Sequence, residues 1–362
     1  YITNFVFWVG IAHSGTLISA VLFLFRAKFR MSIYRIAEAM TVFAVATAGL
    51  FPIIHIGRPW NFYWLLPYPN QRGLWVNFDS PLLWDVFAVS TYATISSVFF
   101  FIGMIPDIAA IRDTVVGKAK KAFYSVASLG WKGSSWEWGH YTRAYFYFAC
   151  FATPLVISVH SVVSWDFAMA NTPGWHTSIF PPYFVAGAIF SGLAMVATLC
   201  IPLRYIFDLE DYITMDNFEG MSKMIILTSS IVFYAYLIEF FIAWYSGNKY
   251  EYDQFIYRAV GDYAVFYWIM MFCNGIVPHL LWFKKIRQNL VILFIITLLI
   301  NVGMYFERFN IIVISLSKEF EPGSWGLYKP SWVEIGITVG SFAWFFMFFL
   351  IFIRTLPALS IA

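Results

Sequence analysis

The chain consists of long apolar runs separated by short polar connections. Nine runs approach the ~20 residues that a helix needs to cross a bilayer. We place these spans at residues 2–25, 35–57, 80–106, 141–163, 182–206, 222–245, 261–283, 290–306 and 331–353. The eighth run is short, so we expect it either to be interrupted at Asn301 or to continue past Tyr305. The pattern predicts an all-α polytopic membrane protein.

The composition agrees with this fold class. Hydrophobic residues make up 60% of the chain and charged residues only 12%, which is too little charge to cover a soluble protein of 362 residues. The aromatic share of 22% suits lipid contact and interfacial belts. Cys150, Cys200 and Cys273 lie in apolar runs without metal-ligand spacing. The chain opens at Tyr1 without a methionine, so we expect one more helix upstream, making ten in the full protein.

Lysine and arginine are divided unevenly between the two ends of the spans. One side carries 16 of the 23 positive residues: Arg26, Lys28, Arg30, Arg35, Arg112, Lys118, Lys120, Lys121, Lys132, Arg143, Arg204, Lys223, Lys284, Lys285, Arg287 and Arg354. The other side carries Arg58, Arg72, Lys249, Arg258, Arg308, Lys318 and Lys329. Because cytoplasmic loops are enriched in positive residues, we expect the residue-1 end to be extracytoplasmic and the residue-362 end cytoplasmic.

The two halves of the chain share an ordered pattern. Each begins with a G-x-x-x-S-G stretch and reaches an arginine. Each then places a titratable residue five positions before a tryptophan, and an aspartate early in the next span. The matched positions, first half against second, are 10–15 and 187–192, Arg26 and Arg204, His55 and Glu239, and Asp85 and Asp262. This order predicts two four-helix bundles related by parallel duplication, plus a peripheral helix.

The predicted division of the chain follows from that repeat. Residues 1–170 form a first four-helix bundle with an outward-facing site. Residues 171–306 form a second four-helix bundle with a candidate proton route. Residues 307–362 form an outer loop and a peripheral C-terminal helix.

Three titratable residues are expected at one level of the first bundle, at the outer membrane boundary. His55 lies in the last turn of the second span, Asp85 in the first turns of the third, and Asp166 where the fourth emerges. Ionisable groups at membrane depth are costly, and a functional role is the default hypothesis for them. Pro52 should open the helix just before His55. We therefore take His55, Asp85 and Asp166 as the candidate catalytic and substrate-binding residues.

Structural explanations stand beside this functional one. A histidine at a helix end and an aspartate at a helix start both complement the helix dipole. Trp84 and Arg58 flank the same layer, and we include both among the binding candidates. Arg58 and Arg72 are otherwise explained as interfacial residues or as counter-ions to the acids.

Four further ionisable residues form a candidate proton route. His13 is expected near mid-membrane, as an interhelical hydrogen bond or a proton stepping-stone. Glu239 lies within an apolar span, Asp262 at the mouth of the next, and His279 near the cytoplasmic face. The alternative for Glu239 is a neutral side chain hydrogen-bonded between helices.

A histidine and carboxylates at the lipid–water boundary suit a lipid-soluble substrate that exchanges protons, and quinol is the obvious candidate. Its oxidation releases two protons with two electrons, and an imidazole and a carboxylate can accept those protons. No residues in the chain suit a redox centre of its own. Haem needs histidines at matching depth, where only His55 and His160 come near, and an iron–sulfur cluster lacks its cysteines. We therefore expect no metal site, and electrons that leave to a partner.

Four stretches resemble the NrfD-like family, the membrane subunits of polysulphide-reductase-type complexes. They are FPIIHIGRPW, PYPNQRGLW, SPLLWDVFAVSTY and IPDIAAIRD. Within that family they look most like a membrane subunit of bacterial alternative complex III. The resemblance implies a quinol:cytochrome c oxidoreductase subunit in the bacterial inner membrane, with menaquinone or ubiquinone as its substrate pair. It places His55, Asp85 and Asp166 at the quinol site.

The resemblance also implies partners. These are a periplasmic iron–sulfur subunit, cytochrome c subunits and a paralogous NrfD-like membrane subunit, with a terminal oxidase as a further candidate. No nucleic acid is expected. Competing interpretations are a proton- or ion-coupled transporter that uses the buried acids and a catalytically silent anchor for extrinsic redox subunits. A di-haem cytochrome b is a weaker fourth.

Overall fold

The computed structural model describes residues 1–66 and 78–361, and within them the chain is helical without a strand. Nine helices of the described residues are long and apolar enough to cross a membrane, which confirms the predicted fold class. The spans are α1 (Ile2–Leu24), α2 (Tyr34–His55), α3 (Pro81–Thr114), α5 (Ser135–Ala168), α6 (Phe180–Ile206), α7 (Met215–Tyr245), α9 (Ala264–Trp282), α10 (Leu290–Ser317) and α11 (Trp332–Thr355). Two shorter helices lie in connections, α4 (Lys118–Ala127) and α8 (Lys249–Val260).

Several spans extend beyond the apolar runs that predicted them. The helix α5 begins at Ser135, several residues before its apolar run, because Ser134 and Glu137 form a capping box there. Such a box satisfies backbone N–H groups that a helix start otherwise leaves unpaired. The apolar pattern therefore marks the part of a helix at membrane depth, and the caps decide where the helix begins.

The eighth span, α10, continues past Tyr305 to Ser317, so the alternative of an interruption at Asn301 is wrong. The Asn301 amide donates to the Thr297 carbonyl of the same helix at 2.9 Å, which leaves the backbone ladder intact. The boundary predicted at residue 306 consequently falls inside this helix. Residues 307–317 belong to a span and not to an outer loop.

Helices α1 and α6, which carry the two G-x-x-x-S-G stretches, are the most enclosed spans. They pack against each other through these stretches, because the Ser14 side chain lies directly against Gly192. On the opposite side of α1, Gly15 lies against the backbone of Ala37 in α2. A methyl group at either glycine would overlap these neighbours. Small residues at such positions let membrane helices approach closely.

The connections alternate between two faces of the bundle. The His55 face is the one that holds the end of α2, the start of α3 and the connections 169–179, 246–263 and 318–331. The opposite face holds the connections 25–33, 115–134, 207–214 and 283–289. The short helix α4 lies in a connection on the opposite face. Most of the connection between α2 and α3, residues 67–77 with Arg72, lies outside the described residues.

Candidate functional site

Asp85 and Asp166 meet at the His55 face. Asp85 lies near the start of α3, four residues after Pro81, and is 5% exposed, and Asp166 lies in the last turn of α5. The two carboxyl groups are within hydrogen-bonding reach of each other. Two ionised carboxylates this close repel, so the pair is stable when it shares one proton. The Oδ1 atom of each is buried and has no hydrogen-bond partner, which leaves an acceptor on each carboxyl group.

The pair arises because the sequence Trp-Asp occurs on both helices. Since α3 and α5 run antiparallel, Trp84-Asp85 and Trp165-Asp166 face each other, and the two indole rings pack edge to face with centroids 5.8 Å apart. The Trp84 indole N–H donates to the Phe78 carbonyl at 2.6 Å, which ties the connection to the start of α3. The repeated dipeptide at opposite helix ends is a sequence signal for this pairing.

His55 lies at the same face but stands apart from the carboxyl pair. It ends α2, it is exposed, and it forms no hydrogen bond or ion pair with either aspartate. The helix is irregular at Gly49, three residues before Pro52. This is the break expected of that proline, whose ring excludes a regular preceding turn. In α5, by contrast, Pro154 lies within an unbroken helix.

Arg58 follows α2 and precedes a short 3₁₀ segment, Pro59–Leu65, whose aromatic side chains are exposed. The side chain of Trp60, for example, is 70% exposed. Arg58 is itself exposed and no ion pair joins it to Asp85 or Asp166. The binding role predicted for Arg58 is therefore untested by this arrangement, whereas Trp84 directly adjoins the carboxyl pair.

The deeper histidine, His13, is fully buried and pairs with His160 of α5. The ring centroids are 4.6 Å apart, and His13 stacks on Tyr92 with centroids 4.8 Å apart. The His13 Nδ1 atom bonds to the Val9 carbonyl of its own helix at 2.6 Å. His160 thus lies in the interior beside His13, and not at the level of His55 where a haem pair was considered.

In the second half of the chain, Glu239 lines a small cavity with room for about one water molecule. Tyr183, Tyr236, Arg258 and Asn310 share that lining. The Glu239 Oε1 and Asn310 Oδ1 atoms are buried without a hydrogen-bond partner. Such unpaired buried groups indicate a place for water.

Asp262 and His279 do not join Glu239. Asp262 accepts a hydrogen bond from the Tyr257 hydroxyl at 3.1 Å near the surface of the His55 face. His279 lies at the other end of α9, where the Trp282 indole approaches its Nδ1 atom at 3.4 Å. The four residues of the predicted route are therefore distributed over separate places, and only Glu239 lines the cavity.

The sequence analysis did not predict a buried ion cluster that lies near the opposite face. Arg35 of α2 contacts Asp107 of α3 at 2.8 Å and Glu38 at 3.3 Å, and the Tyr145 hydroxyl donates to Glu38 at 2.9 Å. The backbone N–H of Ile361 donates to Asp107 at 2.9 Å. In the sequence, Arg35 lies at the start of a span and was counted with the charges of the connection. The spacing of three residues between Arg35 and Glu38 within one helix was the sequence signal for an ion pair.

A second buried polar cluster that the sequence analysis did not predict joins α7, α9 and α10. Glu307 and Arg308 contact each other at 2.8 Å, and Glu307 accepts a hydrogen bond from Tyr236. The amide of Asn274 donates to the same tyrosine hydroxyl at 3.0 Å. Two adjacent opposite charges following a long apolar run could have identified this group, but the apolar pattern alone ends the span just before them.

Among the described residues, no group of three or more His, Cys, Asp and Glu side chains is placed to hold a metal ion. The site at the His55 face consists of a carboxyl pair, adjoining indoles and an exposed imidazole. Carboxyl and imidazole groups of this kind can exchange protons with a bound molecule.

Residues 1–317 match the model of a family described as polysulphide reductase, NrfD. A similar protein is a putative membrane subunit of dimethyl sulfoxide reductase from Halobacterium salinarum. It is 24% identical over an alignment that covers 94% of this chain and 78% of that protein. Subunits of this family belong to redox enzyme complexes, interact with quinone and work with an extrinsic iron–sulfur subunit. Helix α11 lies beyond the matched residues.

Proposed function

The chain belongs to the polysulphide reductase NrfD family, and from that premise we propose that it is the quinol-oxidising membrane subunit of a respiratory complex. In this proposal quinol is oxidised at the His55 face. The electrons pass to an extrinsic iron–sulfur subunit and on to cytochrome c, as in alternative complex III. The observation that carries the proposal is the Asp85–Asp166 pair, which offers an acceptor oxygen without a partner on each carboxyl group.

The chemistry of the pair fits a quinol. Oxidation of one quinol releases two protons and two electrons. A phenolic O–H can donate to the free Oδ1 of Asp85 or Asp166, and the pair takes up one proton as the electrons leave. The imidazole of His55 takes up the other and, being exposed, passes it to water. The cooperation of His55 with the pair, from which it stands apart in the isolated chain, is part of the proposal.

The exposed aromatic segment Pro59–Leu65 is the proposed contact for the iron–sulfur partner. Trp60, Phe62 and Trp64 are exposed beside His55. Aromatic residues are enriched at protein interfaces, and so large an exposed group needs a cover of lipid or protein. A partner docked here would also enclose His55 over the site.

The first prediction tests the site. His55→Ala and Asp85→Asn should each lower quinol oxidation by the assembled complex roughly 100-fold or more, as expected for the loss of a proton acceptor. His140→Ala and Asp211→Asn, which change exposed residues at the opposite face, are the matched controls. Normal turnover in the two site variants, with every subunit still present, would contradict the assignment.

The quinone content of the complex after mild purification separates this proposal from a silent anchor. A catalytic subunit should retain about one quinone per complex, and Asp85→Asn should lower that amount. An anchor would retain the same amount of quinone in the wild type and in this variant. Which quinone is bound follows from the same extraction.

A second candidate function is a proton route through the second bundle, and the cavity beside Glu239 favours it. Glu307, Tyr236 and Glu239 form a buried series that leads from the interior of α10 to this cavity. Unpaired acids in an apolar interior are costly unless they are neutral, paired or in contact with water. Asp262 and His279 have no part in the route proposed here.

The second prediction concerns this route. Glu239→Gln in proteoliposomes should lower the number of protons released per electron while quinol oxidation continues. Glu321→Gln, in an exposed connection, is the control. Unchanged proton stoichiometry with normal oxidation would show that the second bundle is structural.

A further inference from the structure

A small gap lies between α1, α5, α6 and α10, in the middle of the molecule. Gly10 of α1 borders it. A methyl group placed on Gly10 would lie 3.8 Å from Ser191 Oγ, 3.9 Å from the Cε1 atom of His160 and 4.0 Å from Nη2 of Arg308. These are ordinary van der Waals distances, so a methyl-sized space lies beside Gly10. Gly187, at the matching position of the second G-x-x-x-S-G stretch, also borders Arg308: a methyl group placed there would lie 3.4 Å from Nη2.

The polar atoms around this gap lack partners. The Nε2 atom of His13, both ring nitrogens of His160 and the Nη2 atom of Arg308 are buried without a partner. The other terminal nitrogen of Arg308, Nη1, lies 2.8 Å from the Glu307 carboxylate. All three side chains are at most 2% exposed. Unsatisfied polar groups cost free energy in an apolar interior, and most buried groups in native proteins have a partner. Four such atoms on three neighbouring side chains therefore point to a ligand.

The hydrogen-bonding character of these atoms defines the ligand. The Val9 carbonyl can only accept, so the Nδ1 atom of His13 carries the proton and its Nε2 atom is an acceptor. Arg308 has only donors. A molecule between them must accept from the guanidinium and donate to an imidazole, and water does both. A cation is disfavoured by Arg308, and an anion by Glu307, whose carboxylate lies 2.8 Å from that arginine.

We propose that buried water binds in this gap and connects His13 of α1 and His160 of α5 to Arg308 of α10. Each buried water makes two to four hydrogen bonds, so one or two satisfy the four free atoms. The site depends on glycine at position 10, because any side chain there occupies the space. Through Glu307 and Tyr236, the waters join the polar groups of the two bundles in one hydrogen-bonded layer.

The decisive experiment is an electron cryomicroscopy map of the chain in its membrane complex, at a resolution that shows ordered water. We expect water density within hydrogen-bonding distance of His160 and Arg308 beside Gly10. Direct contact between those side chains, or a gap without density, would overturn the proposal. This measurement needs no variant and does not depend on the proposed activity.

A matched pair of variants adds a second measurement. Gly10→Ala places a methyl group in the gap, whereas Gly336→Ala adds the same group to a helical position of α11 with no neighbour within 4 Å. Gly336→Ala should leave the apparent melting temperature unchanged or raise it, because alanine favours helix. Gly10→Ala should lower it and remove the water density. Equal melting temperatures for the two variants, with the water density retained, would contradict the proposal.

Discussion

The aspartates of this chain show that the partners of a residue decide its role. Asp107 is buried, but its charge is neutralised by Arg35 and one of its oxygens accepts a hydrogen bond from the Ile361 N–H. Asp107 is therefore a structural group. Asp85 is equally enclosed, yet it meets a second carboxyl group instead of a cation. A protein that needed only stability would gain by replacing such a pair with apolar residues. The pairing of like groups therefore favours a functional explanation for Asp85 and Asp166.

The third prediction belongs to the structural cluster. Arg35→Met should destabilise the chain by about 3–5 kcal/mol, because it leaves Glu38 and Asp107 buried without their cation. Arg143→Met, at an exposed position, should change stability by less than about 0.5 kcal/mol. Unfolding in detergent micelles, followed by intrinsic tryptophan fluorescence, measures both. A similar effect of the two substitutions would show that the cluster contributes no net stability.

At the scale of elements, the short helix α8 fastens the connection 169–179 to the second bundle. Glu251 accepts from the Gly174 N–H at 2.8 Å, and Arg258 donates to the Gly174 carbonyl at 3.1 Å. Gly174 has a positive φ of 80° and lies against Arg258, so a side chain at this position would be strained and crowded. The two bonds on one glycine hold the turn that leads into α6.

The fourth prediction follows from Glu251. Burial raises the pKa of Glu251 above its ordinary value, and the hydrogen bond from Gly174 opposes this shift. With a raised pKa, the folded state binds the proton more tightly than the unfolded state. The contribution of Glu251 to stability is therefore fully present below the ordinary pKa of about 4.3 and is lost as pH rises through the folded-state pKa.

The apparent melting temperature of the wild type, compared with that of Glu251→Gln, checks this sign. The difference, wild type minus variant, should fall as pH rises from about 4 towards 7, since glutamine does not titrate. Glu319→Gln, in the exposed connection 318–331, provides the control. A difference that rises with pH would mean that the hydrogen bond outweighs burial.

For the whole molecule, the distribution of positive residues predicts an orientation, but not every residue counted is a surface charge. Arg35 and Arg308, one from each side of the count, are buried inside spans. Leaving these two arginines out of the count keeps the excess of positive residues on the opposite face, where the lysines of α4 also lie. We therefore retain the prediction that the His55 face is extracytoplasmic.

The fifth prediction tests that orientation. In a chain whose three cysteines are replaced by serine, a membrane-impermeant maleimide should label Ser324→Cys from outside intact cells. It should label Lys120→Cys only after permeabilisation, because the two positions are exposed at opposite faces. Labelling of Lys120→Cys in intact cells would reverse the predicted topology, and with it the side to which quinol protons are released.

The sequence by itself determined the fold class and the nine spans, because the length of an apolar run and the scarcity of charge are local properties. It also placed Asp85 and Asp166 at one level, since the positions of residues along antiparallel spans follow from counting. It did not reveal the start of α5, which depends on a capping box, or the continuation of α10 through the charged pair Glu307–Arg308 to Ser317.

Only the tertiary structure decided which polar groups meet. Contacts between spans depend on how each helix is rotated about its axis, and close packing at Gly15 and Gly192 sets this for the central helices. That rotation brings His13 to His160, joins Arg35 to Asp107, and leaves Asp262 and His279 far from Glu239. The depth of a residue along its span can be counted from the sequence, but its neighbours on other helices depend on the packing of the whole bundle.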